Sequence, residues 1–225
     1  MDKEFRCYAE TYCKKDRAEC GDLCGGYRVL NALFELSRIP LLYQYNIPLI
    51  PGKADLKAYE ALDEFMKSAV EHVKAGDNLY IWSEYTGNGK TSWACKIMAY
   101  YFRKIAFHTS LENEGLYIYV PSFLEDYRNS YDERTEDFDE VLTMVKGCNL
   151  LIIDDLGEGN PTEWVREQLT SIINNRVNNG LSNIITSGLS PDQLGSKLGA
   201  KIKSRVMMRT QEIHLVSEDR RGVNG

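Results

Sequence analysis

Apolar residues recur at two different spacings along the chain, and the switch between them sets the expected order of elements. Val29, Leu30, Leu33, Phe34 and Leu36 are spaced for one face of a helix that begins after Gly25-Gly26 and stops before Ile39-Pro40. Tyr59, Leu62, Phe65, Met66, Ala69 and Val73 predict an amphipathic helix over 55–75, ended by Gly76. Pro40 to Gly52, with three prolines, reads as an extended linker lying against the next domain. From there short apolar runs alternate with helical patterns. Strands are predicted at 78–83, 116–121, 149–154, 182–187 and 211–216, and helices at 91–107, 122–130, 135–147, 161–179 and 199–208. Pro161 after Asn160 marks a helix start and Gly180 its stop. Such alternation predicts an α/β fold, with a mostly parallel sheet covered by helices on both faces.

The 225 residues suffice for one α/β core and a small appendage, and 43% hydrophobic with 27% charged residues is ordinary for a globular chain. No apolar run approaches the eighteen or so residues of a membrane span, and Met1 to Arg6 lead into no apolar stretch. A cytoplasmic protein without a secretory signal and without a membrane partner is expected. The net charge of −6 is unevenly spread. Residues 1–50 carry seven basic and seven acidic side chains, residues 197–225 seven basic and three acidic, and the stretch between is strongly acidic. That balance excludes a broad duplex-DNA surface, which needs many Lys and Arg on one face, and leaves room for a narrow contact to a single strand.

Chemistry enters at residues 87–91, Gly-Asn-Gly-Lys-Thr, between the run Leu79–Trp82 and a helix-forming stretch. Glycines let a loop turn its N–H groups inward toward phosphate oxygens, a lysine adds a point charge, a threonine offers a hydroxyl to Mg²⁺, and the helix N-terminus favours an anion. Gly87, Asn88, Gly89, Lys90, Thr91 and Ser92 are therefore candidate nucleotide contacts. The strict pattern asks for a further glycine where Glu84 stands, and Glu84 brings a negative charge toward a phosphate site. About sixty residues on, the apolar run Asn149–Ile153 ends in Asp154 and Asp155. Asp154 is the candidate partner of Thr91 in holding Mg²⁺, and Asp155 the group that orients and polarises the attacking water. Lys90, Asp154 and Asp155 are thus candidate catalytic residues, with ATP and Mg²⁺ as expected cofactors.

Cys7, Cys13, Cys20 and Cys24 fall within eighteen residues of polar sequence that cannot bury a core of its own. Without a secretory signal, disulfides are disfavoured, and four thiolates around a structural Zn²⁺ would supply the missing folding energy. The spacing lacks the usual paired knuckles. Cys95 and Cys148 read as core residues. Farther on, Thr186-Ser187 end a strand that should lie between the two motif strands. Arg205, on a basic helix, is a candidate to reach a neighbouring subunit's γ-phosphate, and Arg220 and Arg221 form another candidate pair.

Taken together, Gly-Asn-Gly-Lys-Thr (87–91), Leu-Ile-Ile-Asp-Asp-Leu-Gly (151–157), Asn-Asn-Arg (174–176), Ile-Ile-Thr-Ser (184–187), Lys-Ser-Arg (203–205), Ser-Glu-Asp-Arg-Arg (217–221) and the lead-in Ser37–Pro40 resemble the AAA+ ATPases that load replicative helicases, the DnaC/DnaI type. The resemblance runs from about residue 36 to the end and, more loosely, over the cysteine segment, which is similar to a helicase-gripping zinc module. It implies a five-stranded parallel sheet of order 5-1-4-3-2 with no separate lid domain. It divides the chain into a zinc-binding helicase-interaction module at 1–38, a linker at 39–54 and an ATPase domain at 55–225. Lys90 and Thr91 match the Walker A contacts, Asp154 and Asp155 the Walker B pair, Arg205 the arginine finger, and Arg220 or Arg221 a second sensor. The implied partners are a hexameric replicative helicase, single-stranded DNA and further copies of the chain in an ATP-dependent assembly. Ser122, Phe123, Tyr127 and Arg128 lie where loaders place DNA-facing residues; Phe123 and Tyr127 also have core spacing. Two departures, Glu84 for glycine and Gly188 for a sensor asparagine that Thr186 or Ser187 must replace, point to slow, assembly-dependent hydrolysis. A short, acidic, irregular member also suits a phage origin. Two other functions share the core motifs: a nucleotide-locked adaptor or inhibitor of a loader or helicase, and an IstB-like transposition helper ATPase.

Overall fold

In a computed structural model the described residues are 7–8, 13, 21, 23–44, 49–109, 111–132, 136–159 and 161–217. Helix α1 (Gly25–Ser37) leads, followed by a short α2 (Leu41–Gln44), then α3 (Leu56–Lys67) and α4 (Ala69–Ala75). The core comprises β1 (Asn78–Trp82), α5 (Lys90–Ile105), β2 (Gly115–Tyr119), α6 (Val120–Asp132), α7 (Glu136–Gly147), β3 (Leu150–Asp154), α8 (Glu163–Asn178), β4 (Ser182–Ser187), α9 (Pro191–Leu198), α10 (Ala200–Val206) and β5 (Thr210–His214).

All four strand pairings are parallel and the order is β2-β3-β4-β1-β5, the expected one read from the other edge. Every residue of β1, β3 and β4 is buried, as strands covered on both faces require. Alternate side chains go to opposite layers. Leu79, Ile81, Leu150, Ile152 and Ile184 face α1, α3, α4 and α5, where Phe34, Leu62, Phe65, Met98 and Phe102 are buried. Tyr80, Leu151, Ile153 and Ile185 face the layer built by Leu124, Val145, Leu169, Ile173 and Ile202. The first strand in sequence sits inside the sheet, and the next joins the far edge. This leaves a crevice at the carboxyl ends of the central strands, where parallel α/β sheets bind ligands.

Helix α1 shares this core. Phe34 is fully buried and meets the Phe102 ring edge-on at 5.6 Å, and Arg103 Nε donates to the Tyr8 carbonyl at 2.8 Å. Burial of Leu30, Leu33 and Phe34 supplies on the order of 2 kcal/mol each, so the segment 25–37 is packed into the same layer as α3, α4 and α5.

Several local expectations change. Residues 41–44 form a turn of helix instead of extended chain; Pro40 supplies a helix-compatible φ, and the Tyr43 N–H donates to its carbonyl at 2.8 Å. The 55–75 helix bends at Ser68. The second strand stops at Tyr119 and α6 begins at once, with Pro121 in its first turn, where no intrahelical N–H is needed. Thr162, accepting from the Val165 N–H, caps α8, so the helix starts after Pro161 and not on it. Helix α9 was not expected from the sequence, although Ser190 and Gln193 form a full capping box around Pro191.

Among the described residues, no group of three or more His, Cys, Asp or Glu is placed to hold a metal ion. Cys7 and Cys24 are half-buried, Cys13 is exposed, and Cys20 lies outside the described residues. The expected four-cysteine zinc site thus falls partly outside the described residues, and no zinc site is shown among the rest. Cys95 and Cys148 are buried, as expected. No helix among the described residues is long and apolar enough to cross a membrane.

Candidate functional site

Residues 83–89 leave the end of β1 and fold back to start α5. Gly87 and Gly89 adopt left-handed φ values of 68° and 98°, which glycine reaches without strain. A Cβ on Gly89 would also lie 3.4 Å from the Tyr59 hydroxyl, so the loop is seated tightly on α3. Asn88 is a strut and not an exposed contact. It is buried, and its amide donates to Ser83 Oγ at 2.6 Å and to the Ser217 carbonyl at 3.3 Å, joining the loop to the chain after β5. Lys90 Nζ donates to the Tyr85 carbonyl at 2.7 Å and to Asn88 Oδ1 at 3.4 Å, so its charge is held inside the loop. Thr91 and Ser92 lie in the first turn of a sixteen-residue helix, whose leading N–H groups favour an anion.

Asp154, at the end of β3, is buried and accepts three hydroxyl hydrogen bonds. Thr91 and Thr186 donate to Oδ1 at 2.8 and 2.6 Å, and Tyr117 donates to Oδ2 at 2.7 Å. The phosphate loop and the acidic strand thus meet as the sequence predicts. Asp155 follows with φ 58°, and its N–H donates to Thr186 Oγ1 at 3.0 Å. Burial, with Asp154 and Glu158 nearby, raises the Asp155 carboxyl to about 6. Gly157, at φ 88°, completes the turn; a Cβ there would press into Leu189.

Glu84, at the start of the loop, is paired with His214 on the edge strand. Its Oε2 lies 3.1 Å from His214 Nε2, and the His214 ring stacks on Trp82 with centroids 3.6 Å apart. Its own backbone N–H and then His214 hold the Glu84 carboxyl below the usual range. Lys90 also acts on this carboxylate, so its charge, expected near the phosphate site, is shared between His214 and the loop lysine. Of the two residues offered as substitutes for the sensor asparagine, Thr186 joins Asp154 to the Asp155 N–H, whereas Ser187 is occupied by the Leu156 carbonyl and the Leu189 N–H. Among the described residues, a Cβ at Gly188 would have only the Ser83 carbonyl, at 4.0 Å, as a neighbour.

Arg205 lies near the end of α10, half-exposed, and its guanidinium makes no hydrogen bond or ion pair with the described residues. Arg220 and Arg221 lie outside the described residues. On α6, Ser122 and Arg128 are exposed. Phe123 is buried among Tyr127 and Phe138, which removes it as a surface on which a base could stack. Tyr127 is half-buried against Trp164, and Arg128 lies 5.7 Å from the centre of that ring. Arg176, in the Asn-Asn-Arg run, is structural. Fully buried, it donates to the Val145 and Cys148 carbonyls at the end of α7 and to Ser182 and Asn183 on β4. A groove of about 560 Å³ between α8 and α9–α10, with Arg166, Asn174 and Lys201 in its lining, shares no residue with the nucleotide motifs. Tyr117 and His214 were not singled out by the sequence; a hydroxyl residue alternating with apolar ones beside an acidic strand is the sole sequence trace of the first.

The residues fit a nucleotide and Mg²⁺ on two counts. Lys90 is bonded to its own loop's carbonyl, a contact phosphate oxygens can replace, and Thr91 and Asp154 already face one another. The model of the bacterial DnaA ATPase domain matches residues 43–211 of the chain. The replicative helicase loader DnaI of Bacillus subtilis (strain 168) is 29% identical over 146 residues, which are 64% of this chain and 43% of that protein. The chain therefore spans less than half the length of this curated relative. Among solved structures, the DnaC helicase loader is similar with a TM-score of 0.60 at 22% identity, covering 84% of this chain and 98% of that one. A DnaI structure gives 0.60 at 23%, covering 84% and 93%. The chain belongs to the family of the bacterial DnaA ATPase domain, and its parallel sheet has the AAA+ architecture shared by the DnaC and DnaI loaders.

Proposed function

We propose that this protein is an ATP-dependent loader that recruits a hexameric replicative helicase and places it on single-stranded DNA. The observation that carries the reading is the hydrogen bond between Thr91 and Asp154, which brings the phosphate loop and the acidic strand to one point at the head of α5. Bound ATP and Mg²⁺ would supply the cleavable phosphoanhydride and the charge that polarises it. Lys90 and the N–H groups of residues 87–92 would bind the phosphates, and Thr91 and Asp154 would hold the metal. Asp155, beside Asp154 but only partly buried, would orient and polarise the attacking water. Arg205, unpaired among the described residues, would act on the nucleotide of a neighbouring copy, so hydrolysis requires assembly. Contacts to DNA fall to Ser122, Tyr127 and Arg128 on α6, and contacts to the helicase to the N-terminal segment.

A second reading has one observation in its favour. With Gly188 presenting no side chain, the protein would bind ATP and hold it, acting as a nucleotide-locked adaptor on the same helicase. Affinity capture from host cytoplasm with ATP, with ADP and without nucleotide separates the two. The loader reading expects a hexameric helicase in the ATP sample, released as ATP is turned over. Retention of the helicase with no turnover in the presence of DNA supports the adaptor, and capture of no helicase contradicts both.

A further inference from the structure

Asp154 is held by hydroxyls from three elements, and only one of them belongs to the phosphate loop. Thr91 approaches Oδ1 from α5; Thr186 and Tyr117 approach Oδ1 and Oδ2 from β4 and β2, the two strands flanking β3. The carboxylate is therefore gripped from both sides of its own strand. The register explains how Tyr117 reaches it. Tyr119 is the β2 residue paired with Asp154, and Tyr117, two residues earlier, projects from the same face. Two residues of strand amount to about 6–7 Å, which a phenol ring and its hydroxyl span and no shorter hydroxyl side chain does.

We propose that Tyr117 is a positioning residue for the metal side of the nucleotide site: its hydroxyl fixes the plane of the Asp154 carboxylate so that Oδ1 stays in line with Thr91, leaving a lone pair of the Thr91 oxygen to face Mg²⁺. The proposal rests on the nucleotide-site reading above. Asp154 is only 3% exposed, so water cannot readily replace a lost donor at Oδ2. Thr186 alone does not fix the plane, because it bonds the same oxygen as Thr91 and leaves the other free to swing.

The consequence separates two parts of nucleotide binding. Lys90 and the loop N–H groups grip phosphates with or without metal, whereas Asp154 contributes only when metal is present. Removing a group that orients a metal ligand typically weakens metal binding about 10–100-fold. Tyr117→Phe keeps the ring and removes only the donor. A fluorescent ATP analogue is titrated against the full chain in excess chelator and across a range of Mg²⁺, and Mn²⁺ binding to the nucleotide complex is measured by electron paramagnetic resonance. In the variant, the Mg²⁺ needed for half-maximal tightening and the Mn²⁺ dissociation constant should rise about tenfold or more, with affinity in chelator within about twofold of the parent. An unchanged or lowered metal requirement, or an equal loss with and without metal, overturns the proposal. Absence of any nucleotide binding by the parent chain overturns the nucleotide-site reading itself, which the comparison of parent and variant keeps distinct.

Discussion

His214 Nε2 lies 3.1 Å from Glu84 Oε2 while its ring stacks on Trp82, so the carboxylate standing in place of the first loop glycine is engaged by the edge strand. Restoring the glycine should therefore matter little. Glu84→Gly is expected to change ATP affinity by less than about threefold. His214→Ala, which frees the carboxylate, should weaken ATP binding about two- to fivefold at low salt and by less at high salt, the behaviour of an exposed charge. Calorimetric titration at two ionic strengths measures both. A gain of tenfold or more in Glu84→Gly would mean that the carboxylate does face the site.

Asp155 has its carboxyl raised to about 6, first by burial and then by Asp154 and Glu158. Its folded value lies above the unfolded one, so the folded state binds the proton more tightly. Stability from this group is present at low pH and is lost as pH rises from about 4 to about 6. Turnover needs the ionised form and should rise over the upper part of the same window. Asp155→Asn is expected to be more stable than the parent at pH 7.5 by about 1 kcal/mol, after discounting for solvent screening of a half-exposed group, and to lose turnover at every pH. Urea denaturation midpoints and pH–rate profiles check the two signs.

Among the described residues, Gly188 has open space where a Cβ would sit, with the Ser83 carbonyl 4.0 Å away. Gly188→Asn should fold normally and raise turnover about tenfold or more by adding a polar group beside the γ-phosphate position. ATP affinity should hardly move. A steady-state assay with single-stranded DNA present reads both. Unchanged turnover would place the limit on hydrolysis elsewhere.

Much of this was legible from the chain. The parallel sheet, the nucleotide motifs at 87–91 and 154–155, and the burial of Cys95 and Cys148 follow from strand–helix alternation and from apolar runs ending in acid, and the strand order from the resemblance to the loader ATPases. What was not legible depends on contacts between residues far apart in sequence. His214 meets Glu84 only because β5 pairs with β1, and Tyr117 reaches Asp154 only through the β2–β3 register. Helix α9 has a clear local signal at Ser190–Gln193, but its eight residues are too few to set up a strong apolar period. Phe123 had the spacing of both a core and a binding residue, and the aromatic neighbours that place it in the core include Phe138 from α7.

Arg205 should act across a subunit boundary. Arg205→Ala is expected to bind ATP like the parent and to lose about a thousandfold in turnover, and Lys90→Ala to lose ATP binding. Mixed in equal amounts, the two inactive variants should regain a substantial fraction of parental turnover, because mixed neighbours pair an intact loop with an intact arginine. No recovery in demonstrably mixed assemblies would remove the assignment.

The most direct test of the central claim, that ATP held by residues 87–91 drives helicase loading, follows the recruited hexamer onto single-stranded circular DNA. With the parent chain and ATP, helicase should be recovered on the circles, and with Lys90→Ala it should still bind the protein but remain off the DNA. Equal loading by parent and Lys90→Ala, or equal loading with and without ATP, would contradict the account.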